Sequence, residues 1–159
     1  MDMFAVVKDQ GNLDSVTYIA EETQRIARSV AGFLLRLAKV CEDSSVKERW
    51  TTTLALSEDG VSAVIDSPFG RADGDLKFVI TEEDKVEGRW VIRKHSLDSE
   101  GNAIRLKVAS FRILLNGQIF LGSTQEVGIP ATSRFAGDDD RTAYQVMSGV
   151  LYALGRSED

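Results

Sequence analysis

One cysteine, one histidine and two prolines in 159 residues exclude several kinds of protein. With Cys41 alone, no internal disulfide framework is possible. With His95 alone, no histidine cluster can gather a metal, and a cysteine nucleophile would have only that one histidine to call on. There is no membrane-length apolar run. The most hydrophobic stretch, Val30 to Cys41, is interrupted by Arg36 and Lys39 and falls short of the ~20 residues a span needs. Met1 to Lys8 lacks the basic start and long apolar core of a signal peptide. Low-complexity tracts and internal repeats are missing as well. The expectation is a soluble, cytoplasmic chain forming a single domain over residues 1–159.

What is present is ordinary globular material, with 43% apolar and 28% charged residues. The formal charge is −6, from 19 basic and 25 acidic side chains. An acidic balance favours solubility and disfavours a general polyanion binder, although a local basic patch remains compatible with it.

The best-patterned segment runs from Asp14 to Cys41. Val16, Ile19, Thr23, Ile26, Val30, Phe33, Leu37 and Val40 alternate spacings of three and four, and Ala20, Ala27, Leu34 and Cys41 widen the stripe. This spacing predicts a helix of about seven turns, with Asp14 as N-cap and Leu13 and Tyr18 as its hydrophobic staple. Before it, Phe4 to Val7 reads as a short edge strand.

From Val46 the period changes to two. Trp50, Leu54 and Leu56 alternate with Arg49, Thr51 and Thr53 on a first strand. Glu58-Asp59-Gly60 marks a hairpin turn, followed by Val61, Ala63 and Ile65 on a second strand. Ser67 to Asp75 reads as a long acidic loop. Leu76, Phe78 and Ile80 then face inward, as do Trp90 and Ile92, and Ile104, Leu106 and Val108 on the strands that follow. The apolar parity shifts to Phe111, Ile113 and Leu115, which predicts a β-bulge near Ser110. Asn116-Gly117 is a strong hairpin signal. Ile119 to Leu121 forms a sixth strand and Thr124 to Ile129 a candidate seventh. Asp138 to Asp140 open a last helix that buries Ala143, Met147, Val150, Leu151 and Leu154, with Gly155 as its stop. The fold class expected is α+β: a long N-terminal helix, an antiparallel meander of five to seven strands and a C-terminal helix, both helices on one face.

No residue set meets the needs of catalysis, a cofactor or a metal. Asp138 to Asp140 suit a helix start better than a cation, because successive residues diverge there. Asp66, Asp73 and Asp75 match neither the EF-hand nor the P-loop spacing. Cys41 reads as a buried small hydrophobe. Strand alternation does place Arg49, Lys77, Arg89, Arg93, Arg105 and Lys107 together on the outward sheet face. Like charges side by side call for an anionic partner or for neighbouring acids. The stripe Val16, Ile19, Ile26, Val30, Phe33 and Leu37 serves either the chain's own sheet or a homodimer seam. The expected function is therefore non-enzymatic binding of a protein partner. Nucleic-acid binding by the basic face is the alternative, weakened by the lack of aromatics there.

Overall fold

The computed structural model describes the backbone of residues 10–122, 125–126 and 136–156, and the side chains of 17–122 and 141–156. The expected edge strand at Phe4 to Val7 and most of the candidate seventh strand lie outside the described residues. In chain order the elements are helix α1 (Gln10–Glu42), helix α2 (Ser44–Trp50), β1 (Thr53–Leu56), β2 (Ala63–Ser67), β3 (Gly70–Ile80), β4 (Val86–Leu97), β5 (Ala103–Ile113), β6 (Ile119–Leu121), β7 (Gln125–Glu126) and helix α3 (Ala136–Arg156). The strands form one curled antiparallel sheet in sequence order, with β7 only a two-residue ladder on its edge. This is the expected α+β plan.

Helix α1 exists because its stripe has a sheet to cover. Ile26, Val30, Phe33, Leu34 and Leu37 are fully buried. Phe33 meets Phe111 edge-on at 5.5 Å, and Phe111 lies 6.2 Å from Trp90. Helix α3 adds Ala143, Met147, Val150 and Leu154 to the same core. Lys94, on the helix side of β4, donates from Nζ to the Leu154 carbonyl at 3.2 Å. Both helices thus cover one sheet face. The close fit of α1 needs Gly88: a Cβ there would stand 2.6 Å from Ile26 Cγ2.

Several local expectations are corrected. Helix α1 starts at Gln10, so Asp14 lies inside it rather than capping it, and Tyr18 is exposed rather than stapled. The chain from Ser44 to Trp50 is helical, not extended. The Asp43 carboxylate accepts from the Ser45 and Val46 amides and nucleates that turn, and Thr51 ends it with φ of 49°. Ser67 to Asp75 is no loop. Pro68 and Phe69 make a tight turn, and β3 begins at Gly70. The stretch looked like a loop because of its glycines and acids, yet each has a place in the sheet. The Trp90 ring lies directly over Gly74, where any Cβ would overlap it.

The bulge falls at Val108, between the pairs Ile92–Ala109 and Arg93–Lys107, two residues before Ser110. Leu115 lies beyond β5, in the turn closed by the Leu114 amide and Gln118 carbonyl. Helix α3 continues through Gly155 to Arg156, with the Phe69 ring against Gly155. It begins at Ala136, so the backbone of Asp138 to Asp140 is already helical.

Candidate functional site

The convex sheet face carries most of the basic residues picked out from sequence. The register aligns Lys77, Arg89 and Arg112 across three strands, and Arg93 and Lys107 with Asp73. Arg49 does not join them, because it sits on α2. Acids are interleaved with these cations. Asp73 Oδ2 accepts from His95 Nε2 at 2.8 Å and lies 3.3 Å from Arg105 Nη2. Glu87 is buried, accepts from Arg112 Nε at 2.7 Å and stands 4.0 Å from Arg89 Nη2. Asp66 pairs with Arg71 at 3.0 Å. Arg112 also stacks over Phe120 at 5.6 Å. This offsets much of the local positive charge within the face itself.

The α1 stripe is committed inward. Ile26, Val30, Phe33 and Leu37 belong to the chain's own core, and Ile19 packs against its margin. The Val16 side chain lies outside the described residues. Cys41 is buried, and burial, together with the neighbouring Glu42 charge, pushes its thiol up to about 11. At neutral pH it stays protonated and is no nucleophile. Asp66, Asp73 and Asp75 lie on strands rather than in a cradle. Among the described residues no three His, Cys, Asp or Glu side chains converge as a metal site, and no helix is long and apolar enough to cross a membrane.

The feature that sequence reasoning missed is an open strand edge. β2 pairs with β3 only from Ser67–Gly70 to Ala63–Gly74. Beyond Gly74 the β1–β2 hairpin bends away over the helix side. Its turn rests on α1, where a Cβ on Gly60 would meet Ala31 Cβ at 3.6 Å. The Trp90 indole holds it there by donating to the Val61 carbonyl at 3.0 Å. Among the described residues β3 continues from Asp75 to Ile80 with β4 on one side alone.

Backbone alternation identifies the groups on that edge. The tight Ser67–Gly70 turn directs the amides and carbonyls of Gly70, Ala72 and Gly74 toward β2. Leu76, Phe78 and Ile80 continue that phase. From the other end, the Thr81 amide donates to the Lys85 carbonyl at 2.8 Å, which directs Val79 and Lys77 toward β4 and gives the same answer. Among the described residues nothing bonds the edge-facing backbone of Leu76, Phe78 and Ile80. Phe78 and Ile80 are also 43% and 60% exposed on the helix side, although their parity is inward. In the structure the edge shows as a length mismatch. The run Leu76 to Ile80 extends β3 to 11 residues, whereas β2 has 5.

Two clefts also lie on the described surface. One, of about 660 Å³, lies between α3 and the bulged part of β5, lined by Val108, Phe111, Val146 and Gly149. The other is a shallow basin at the β3–β4 turn, lined by Glu22, Arg25, Ile80, Glu82 and Arg112. Comparison with protein-family profiles, curated proteins and solved structures finds no match to this chain.

Proposed function

We propose that this is a non-enzymatic binding protein that works through protein–protein contacts at the open half of β3. The observation that carries the reading is the edge itself. Three alternate outward residues offer amide and carbonyl groups that are unpaired among the described residues, beside two exposed apolar side chains. An extended polypeptide satisfies such groups by adding a strand, and its alternate side chains lie against Phe78 and Ile80. Soluble proteins ordinarily blunt such an edge with charge, proline or a bulge. Here Lys77 is the only charge between Leu76 and Ile80. A cytoplasmic setting belongs to the same reading, supported by the unpaired, buried Cys41 thiol.

The nucleic-acid alternative draws less support, because Asp73 and Glu87 occupy the cations at the centre of the convex face. Its signature would be affinity falling linearly in log–log plots against salt.

Photo-cross-linking in cells tests the edge. A photoreactive residue at Ile80 is expected to trap a polypeptide that the same residue at exposed Tyr152 does not. If both positions trap nothing, or the same set of proteins, the edge is not the binding surface.

A further inference from the structure

We infer that a second copy of this chain fills the open half of β3, the two strands running antiparallel about a two-fold axis at Phe78. The inference rests on the reading of that edge as the binding surface, and it names the occupant.

Only one register pairs all three free residues with one another. With Phe78 opposite Phe78 of the second copy, Leu76 faces Ile80 and Ile80 faces Leu76. Every residue whose backbone points outward then meets another that points outward, and each facing pair exchanges two hydrogen bonds. A centre at Leu76 would bring Ile80 against Ala72, whose backbone β2 already occupies. A centre at Lys77 would set the two ammonium groups directly opposite each other. At Phe78, Lys77 faces Val79 and Asp75 faces Thr81. On the helix side the added strand places Leu76, Phe78 and Ile80 of each copy against those of the other. The exposed surfaces of Phe78 and Ile80 thereby become an apolar centre with backbone bonds around it.

The test is the mass and amide exchange of the full chain. Light scattering after size exclusion is expected to give twice the 17.5 kDa chain mass at tens of micromolar. Between about 1 and 100 µM, amides of Leu76, Phe78 and Ile80 should gain roughly tenfold protection. Those of Lys77 and Val79, bonded to β4, should be protected throughout. Phe78→Pro removes an amide that only the second copy uses, and should give a folded monomer by circular dichroism. Should that variant unfold, Phe78→Lys leaves the backbone intact and is expected to be monomeric as well.

A wild-type monomer at 100 µM overturns the inference. So does a dimer that survives Phe78→Lys with no alternating protection. A monomer that still traps a different protein from Ile80 refutes the second copy while leaving the binding edge standing. A monomer that traps nothing removes both.

Discussion

The two halves of β3 are continuous in chain and opposite in circumstance. From Gly70 to Gly74 the strand has neighbours on both sides, and Ala72 and Gly74 are buried. From Asp75 to Ile80 it has one neighbour among the described residues, and its two largest apolar side chains are partly in water. The residues do not explain this by themselves, since the half with glycine and aspartate is the enclosed one. The cause is Trp90. Its ring needs the space over Gly74, and its indole nitrogen carries the β1–β2 turn toward α1. One bulky side chain thus decides where the sheet stops being covered.

The sharpest way to break the comparison is proline. Ala72→Pro removes an amide directed at β2 from the centre of the sheet, and should destabilise by about 3 kcal/mol or more. Phe78→Pro, six residues on, should change the stability of the monomer far less. Urea denaturation of the two variants measures the contrast, and equal losses would refute the assigned backbone phase.

A smaller effect is expected from Gly74→Ala. The added methyl must displace the Trp90 ring, a strain of about 1–3 kcal/mol. Loss of the indole bond to Val61 would accompany it, and the β1–β2 turn would then exchange its amides faster. Trp90→Phe should reproduce the faster exchange without the overlap, costing about 1 kcal/mol through the lost hydrogen bond.

The smallest is a control by acid. Ser45 and the backbone amides after it hold the Asp43 carboxyl below its ordinary 3.8. Ser57 and the Val61 amide do so for Asp59, and the Asn102 and Glu100 amides for Asp98. Folded values depressed in this way contribute stability that is complete above the ordinary value and lost as pH falls below it. Asp98→Asn should make the acid limb of a stability–pH curve shallower. None of the three lies on β3.

The plan of the molecule was legible wherever one face had to be buried. The three-and-four spacing of Ile26, Val30, Phe33 and Leu37 marked α1, and the alternation of Leu76, Trp90, Ile104 and Phe111 marked the meander. Short-range signals misled where tertiary contacts governed. Asp73 and Gly74 have turn chemistry, but they are fixed by His95, Arg105 and Trp90, more than a dozen residues away. Arg49 kept strand parity with Thr51 and Thr53 only by accident, because the Asp43 cap coils the chain through Trp50. The basic face was partly legible, since alternation located Arg89, Arg93, Arg105 and Lys107. The acidic partner on β3, Asp73, was hidden in what resembled a loop. The open edge was not legible at all. It depends on the path of β2, and no pattern within Leu76 to Ile80 encodes a missing neighbour.

The closing of the core by α3 sets an order of events during synthesis. The strands pair in the sequence in which they emerge, so the meander assembles from neighbours. Its seal does not. Trp50 waits for Tyr144, which meets it edge-on at 5.7 Å, and Lys94 waits for the Leu154 carbonyl. A chain still held at the ribosome short of Leu154 therefore exposes one flank of its core, and with it the cleft beside the β5 bulge. Until those last turns emerge, that flank is the part of the nascent chain that chaperones would have to shield.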